Sequence, residues 1–252
     1  MDDCLILEET ESTNSVAEGL ARDGALHGFA VLAKKQTGGR GRLGRFWVSP
    51  GGLGLYCTII LRPNLELIDY PKLTLAAGVA VAEALAGLGV ITDLKWPNDI
   101  FIAGRKCGGI LVESSALEEE SANNYALVGI GLNVNTTAVD FDKLSHQAIS
   151  LRQACGGKIF NIDEIFSVIR KAILAEVCEL ERHGFARILD RWQRYDLLRG
   201  RRARWLRNDG VVVEGLAEGI DDQGQLLVRT DDGVIHPVIS GDVNLVQHGS
   251  TK

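Results

Sequence analysis

Apolar and polar positions alternate along the chain in two rhythms. Short apolar runs at "CLILEE" (4–9), "GFAVLAKK" (28–35) and "GLGLYCTIILRP" (52–63) predict strands, the last closed by Pro63. Between the first two, "STNSVAEGLARDG" (12–24) predicts a short helix, with Ser12 or Thr13 as its N-cap and Gly24 as its stop. Residues 71–88 read as a central helix of small apolar residues. Three β-rich runs follow: "DLKWPNDIFI" (93–102), "RKCGGILVES" (105–114) and "NYALVGIGLNVN" (124–135), with a hairpin across "AGRK" joining the first two. The clearest helical period covers residues 161–184. There Ile162, Ile165, Phe166, Ile169, Ile173, Leu174, Val177 and Leu180 form one stripe, Asn161 and Glu164 fit a capping-box-like start, and Gly184 ends it.

Beyond Tyr195 the rhythm shortens. "RARWLR", "VVVEGLAEGI", "GQLLVRT", "GVIHPVI" and "VNLVQ" are five short strands separated by "NDG", "DDQG", "TDDG" and "SGD", all turn chemistry. Five strands in about fifty residues predict a small SH3-like β-barrel. The expected fold is therefore α+β: a mixed or antiparallel sheet with helices over residues 1–194, and the barrel over 195–252.

Composition changes this picture little. Hydrophobic residues make up 46% of the 252 and charged residues 24%, enough to bury a core of ordinary size. The five cysteines (Cys4, Cys57, Cys107, Cys155, Cys178) are odd in number and lack C-x-x-C spacing, which favours free thiols and a cytoplasmic location over disulfides or zinc. The N-terminus is acidic where a secretory signal would be basic. Residues 73–91 approach the length of a membrane span, but Glu83 and the interspersed glycines and alanines favour a buried small-residue helix.

The formal net charge is −6, so the cations that cluster in one place need an explanation. "QTGGRGRLGRFW" (36–47) sets Arg40, Arg42 and Arg45 among Gly38, Gly39, Gly41 and Gly44. Glycines let backbone approach a ligand, guanidinium forks fit carboxylate or phosphate, and Trp47 can stack on a flat ring. A solvated hairpin loop is the plainer alternative, and the loop is not a phosphate-binding G-x-x-x-x-G-K-[ST] motif. In "KWPNDI" (95–100), Asn98 and Asp99 could hold Mg²⁺ or a phosphate, or could simply make a turn. In "RKCGGILVE" (105–113), Lys106 stands at the mouth of a strand and Gly108 and Gly109 leave room beside it. "GIGLNVN" (129–135) lacks the third glycine of a dinucleotide fingerprint; Asn133 could read an adenine edge or cap a bend.

Taken in order, "STN" (12–14), the glycine–arginine loop, "KWPNDI", "KCGGILVE" and "GIGLNVN" closely resemble the biotin protein ligases across the catalytic domain, and the small C-terminal barrel matches that family's plan. The resemblance implies a class II synthetase-like catalytic domain that joins biotin to ATP, forms biotinyl-5′-AMP, and transfers biotin to a lysine of a biotin carboxyl carrier domain. It implies that Ser12, Thr13, Asn14 and Gln36 bind biotin, together with Arg40, Gly41, Arg42, Lys106, Gly108 and Gly109. Arg40, Arg42, Arg45, Trp47, Asn98, Lys106 and Asn133 would face ATP or the adenylate, with Lys106 and Arg42 catalytic. Asn98 and Asp99 would meet Mg²⁺, and Asp99 is a candidate base for the transfer step.

Two departures bear on function. Leu43 stands where some members carry a further arginine, and the first strand starts by residue 4, leaving no room for the DNA-binding domain that precedes some members. The expectation is a monofunctional ligase without sequence-specific DNA binding or membrane association, with homodimerisation left open. A lipoate–protein ligase-like acyltransferase is the alternative enzyme. A nucleic-acid-binding module, resting on "RGRRARWLR" (199–207), is the alternative of a different class.

Overall fold

The computed structural model describes residues 3–115, 124–137, 148–206, 211–239, 241 and 243–246. Its order is β1 (Cys4–Thr10), α1 (Thr13–Arg22), β2 (Ala30–Gln36), β3 (Gly54–Leu61), α2 (Lys72–Gly87), β4 (Asp93–Lys95), β5 (Asp99–Ile102), β6 (Arg105–Ser114) and β7 (Ala126–Asn133). Then come α3 (Leu151–Ala154), α4 (Ile162–His183), α5 (Ala186–Tyr195) and five short strands, β8 (Arg202–Leu206), β9 (Val212–Ile220), β10 (Leu226–Arg229), β11 (Ile235–Val238) and β12 (Val243–Leu245).

The first seven strands form one mixed sheet in the order β1-β2-β3-β7-β6-β5-β4. Only β1 and β2 run parallel, because α1 provides the crossover that a parallel pair requires. The expected hairpin across 103–104 is present as β5–β6, with Ala103 (φ 48°) and Gly104 (φ 73°) both left-handed, as a type I′ turn demands. "DLKWPNDIFI" is not one strand. It breaks into β4 and β5, paired Lys95 to Asp99, with Trp96, Pro97 and Asn98 as the turn.

Strand periodicity sorts side chains onto two faces. On one, Leu55, Cys57, Ile59 and Leu61 of β3 and Ala126, Val128, Ile130 and Leu132 of β7 join the main core with α2 and α4. The α4 stripe read from the sequence supplies Ile165, Ile169, Ile173, Val177 and Leu180 to it. Asn161 Oδ1 caps α4 by accepting from the N–H groups of Asp163 (2.9 Å) and Glu164 (3.4 Å). The small residues of α2 serve packing: a Cβ on Gly78 would lie 2.8 Å from the ring of the fully buried Trp192 on α5. The period alone did not mark α5. Among the described residues no helix is long and apolar enough to cross a membrane.

The opposite face carries α1, whose Ala17 and Ala21 pack on Val31, Ile60 and Leu127. Ser12 holds the N-cap position of α1 in an extended conformation, but its side chain makes no capping hydrogen bond. Gly24 (φ 91°) follows the C-cap as expected. Beyond α1 on this face the strands turn mostly small or polar: Thr58 on β3, Gly129, Gly131 and Asn133 on β7, and Gly109 and Glu113 on β6, with Leu111 the apolar exception. That change leaves the floor of a cavity.

The five C-terminal strands make a separate antiparallel sheet in the order β11-β10-β9-β8-β12. The "DDQG" and "TDDG" turns connect its strands as read; "NDG" and most of "SGD" lie outside the described residues. This sheet is docked against the first. Asp196 bridges Leu94 in parallel, and Trp96 Nε1 donates to Gly224 O at 2.9 Å. Two arginines of the basic run are paired within the sheet, Arg202 with Asp231 (2.9 Å) and Arg204 with Glu214 (3.1 Å).

Candidate active site

A cavity of about 430 Å³ opens on the small-residue face, between the glycine–arginine loop above and β5, β6 and β7 below. All but one of the candidate residues line it: Ser12, Thr13, Asn14, Gln36, Arg40, Gly41, Arg42, Arg45, Trp47, Asn98, Asp99, Lys106, Gly109 and Asn133. Gly108 is placed elsewhere. Its missing side chain would point at Gly131 O (2.8 Å) and Leu132 Cδ1 (2.9 Å), within the packed sheet.

The loop forms an ordered flap. Isolated bridges pair Gln36 with Ser49 and Arg40 with Phe46, and Trp47 N donates to Gly39 O at 2.9 Å. Gly39 is required here, since a Cβ would stand 2.3 Å from Trp47 O. At the tip, Arg42–Gly44 makes one 3₁₀ turn with Leu43 left-handed at φ 56°. Arg42 Nη1 reaches down to Asn98 Oδ1 at 3.2 Å, so the flap touches the β4–β5 turn across the cavity. Asn98 is itself fixed from below, its Nδ2 donating to Ile110 O at 2.7 Å.

Two chemically different walls result. At one end lies a neutral polar shelf. Gln36 Oε1 accepts from Thr13 N (2.8 Å) and Gln36 Nε2 donates to Ser49 Oγ (2.9 Å). The Thr13 and Thr58 hydroxyls lie 2.9 Å apart, and Thr58 donates to Asn14 Oδ1 at 2.5 Å. Asn14 in turn sits where any side chain on Gly129 would be, 2.3 Å from its Cβ position.

The other end is cationic. Arg40, Arg42, Arg45, Lys95 and Lys106 line the cavity, with Asp99 the one acid among the described lining residues, in a chain whose overall charge is −6. Lys106 Nζ stands 2.6 Å from Asp99 Oδ1 and 5.6 Å from the centroid of the Trp47 ring. The Trp47 indole N–H is buried without a hydrogen-bond partner among the described residues. Clustered cations of this kind repel one another, and a bound anion offsets the repulsion.

Several participants had no signal in the sequence. Thr58, Ser49 and Glu113 hold the shelf and the flap, while Gly241 and Asn244 of the C-terminal sheet close one side, Asn244 Oδ1 accepting from Lys95 Nζ at 3.3 Å. Gly129 and Gly131 are the positions in "GIGLNVN" whose alternation with Ile130 and Leu132 marks the open face. The cysteines stay outside this chemistry. Burial pushes the Cys57 thiol up to about 12 and the Cys107 thiol higher still, so neither is a nucleophile at neutral pH. No cluster of three or more His, Cys, Asp or Glu residues able to hold a metal occurs among the described residues.

Residues 6–133 match the Biotin/lipoate A/B protein ligase family, and residues 200–246 match the Biotin protein ligase C terminal domain. The chain is 42% identical over 239 residues to the bifunctional ligase/repressor BirA of Bacillus spizizenii, covering 93% of this chain and 71% of that protein. It is 34% identical to the biotin–[acetyl-CoA-carboxylase] ligase of Paracoccus denitrificans over 90% of this chain and 95% of the relative. Its fold superimposes with a TM-score of 0.82 on the biotin protein ligase of Aquifex aeolicus in complex with biotin and ATP, at 29% identity, covering 98% and 100% of the two chains.

Proposed function

The chain belongs to the biotin/lipoate A/B protein ligase family as a biotin protein ligase, and from that premise we propose how its cavity divides the work of the reaction. It is an ATP-dependent ligase that activates biotin as biotinyl-5′-AMP and transfers it to a lysine of a biotin carboxyl carrier domain. The observation that carries the residue assignment is the pairing of a neutral polar shelf with a wall of five cations in one cavity.

The neutral shelf suits the ureido ring of biotin. A urea needs both donors and acceptors and no charge, and Ser12, Thr13, Asn14 and Gln36 offer both. The biotin carboxylate then points toward Lys106 and the flap arginines. Its oxygen attacks the α-phosphorus of ATP, the O–P bond forms, and pyrophosphate leaves. Two anions must approach for this step, and Lys106, Arg40 and Arg42 offset their repulsion and stabilise the charge that builds on the phosphoryl oxygens. Trp47 and Asn133 face the adenine side. Gly108, whose Cβ position faces Gly131 O and Leu132 within the sheet, would support this site from below.

ATP arrives with Mg²⁺, which needs only one or two protein oxygens beside the phosphates. Asn98 and Asp99, adjacent on the floor with no further acid among the described lining residues, would hold it at such a sparse site, Asn98 Oδ1 giving up its contact with Arg42 and Asp99 keeping Oδ2 beside the Lys106 pair. The ion supplies charge neutralisation at the phosphates. In the second half-reaction the acceptor amine attacks the acyl carbon, AMP leaves, and a proton must be taken up; Asp99 is the carboxylate placed to take it. The flap keeps water from the mixed anhydride between the two steps. We place the boundary between the catalytic and C-terminal units at residue 195, and the protein in the cytoplasm, where its free thiols are stable.

Biotin-dependent ATP–pyrophosphate exchange, followed by labelling of a carrier domain, tests this reading. Exchange with biotin and not with lipoate supports it; exchange with lipoate alone replaces it with a lipoate–protein ligase.

A further inference from the structure

We propose that Glu113 is a positioning residue that latches the flap to the biotin shelf. It lies on β6, facing the cavity side of the sheet, and a single oxygen of its carboxylate makes both contacts. Oε2 accepts from Asn14 Nδ2 at 2.7 Å and from Arg40 Nη2 at 2.9 Å. Asn14 belongs to the shelf and is 4% exposed; Arg40 belongs to the flap and is exposed.

The contact completes a continuous path. It runs from Ser49 through Gln36, Thr13, Thr58 and Asn14 to Glu113 and ends at Arg40. One end, Ser49, stands just past the flap segment, and the other, Arg40, lies within it. The shelf is thereby tied to the flap on two sides, and the middle of the path is the surface assigned to the ureido ring.

Fold stability does not explain this arrangement. The Arg40–Glu113 pair is partly exposed, with side-chain exposures of 43% and 36%, and such pairs contribute little to folding. Its consequence is geometric. A guanidinium has five N–H donors, so Arg40 held through Nη2 keeps others for an anion in the cavity. The same carboxylate fixes the orientation of the Asn14 amide: Nδ2 is taken by Glu113 and Oδ1 by Thr58. Ring binding and flap closure are therefore coupled through one carboxylate.

This inference rests on the biotin ligase reading, and the experiment separates the two. Purified protein is loaded with biotin and ATP, and loss of biotinyl-5′-AMP is followed by a chase, beside KM and kcat for biotin-dependent exchange. Glu113→Ala is expected to raise KM for biotin and to speed adenylate loss by about fivefold, the effect of losing a partly exposed ion pair. Its effect on adenylate loss should shrink in an Arg40→Ala background, because the partner is already gone. Glu113→Gln keeps an acceptor for Asn14 and removes the charge that holds Arg40, so it should speed adenylate loss while leaving KM for biotin nearer to normal. Wild type that forms no adenylate removes the ligase reading and the latch with it. Wild type that forms and retains adenylate, with Glu113→Ala retaining it equally long or with an effect that adds fully to Arg40→Ala, overturns the latch alone.

Discussion

Trp47 lies so close on Gly131 that a Cβ at position 131 would stand 2.5 Å from the indole Nε1 and Cε2. The flap aromatic therefore rests directly on the β7 backbone, within the cavity and beside Lys106. Gly131→Ala should displace the indole without disturbing the β7 ladder, since alanine adopts extended backbone freely. The expected result is a red-shifted tryptophan emission component and a raised KM for ATP, with the unfolding midpoint shifted by only a few degrees. Unchanged emission and KM would show that Trp47 is not seated there in solution.

Lys106 carries the second prediction. Its ammonium lies 2.6 Å from Asp99 Oδ1 and 5.6 Å from the indole centroid, in the wall opposite the flap. Lys106→Ala should lower adenylate formation by about a hundredfold or more, near the 3 kcal/mol typical for removing one preorganised charge-stabilising group. The circular dichroism spectrum should be preserved. Near-normal exchange would remove Lys106 from the chemistry.

The third concerns the shelf. Thr58 is fully buried and donates to Asn14 Oδ1, which is nearly as buried. Thr58→Val keeps the shape and leaves that oxygen unsatisfied, which should cost about 1–3 kcal/mol in urea unfolding. Because the Asn14 amide then loses its orientation, KM for biotin should rise as well. A stability loss with unchanged KM would make Thr58 a structural residue only.

Asp196, at the junction of the two sheets, supplies a pH dependence. Burial pushes its carboxyl above the ordinary carboxylate range, against the opposing hydrogen bonds from the Leu198 and Arg199 N–H groups. Its Oδ2 is buried without a partner among the described residues. Because the folded value is raised, the group's favourable contribution is present below about pH 4 and is lost as pH rises through the folded value. Asp196→Asn should raise the melting temperature at pH 7, and the gain should fade toward pH 4. A gain that persists at pH 4 would contradict this origin.

How much of this was legible in the sequence follows from the range of each interaction. Strands and helices with clear periods, such as β3 and α4, were readable because burial of one face imposes the period. The candidate side chains that line the cavity were readable because glycine–arginine and K-W-P-N-D spacings are local. Sheet order was not: nothing near Gly54–Leu61 says that its neighbour is Ala126–Asn133. Nor was Glu113, whose partners Asn14 and Arg40 lie 99 and 73 residues away. Trp96 and Pro97 turned one apparent strand into a hairpin, and that turn is what brings Asn98 under Arg42. The α5 helix carries no boundary mark: Phe185 stands at its N-cap and no glycine closes it, whereas α1, equally short, is framed by Ser12 and Gly24.

Arg42 bridges from the flap to Asn98 across the cavity, and the proposed closure of the cationic flap over the adenylate depends on that side chain. The half-life of the purified protein–biotinyl-5′-AMP complex, compared between wild type and Arg42→Gly, tests it most directly. Arg42→Gly should shorten the half-life by about tenfold or more, with free adenylate labelling bystander lysines. Equal half-lives in the two proteins would contradict it.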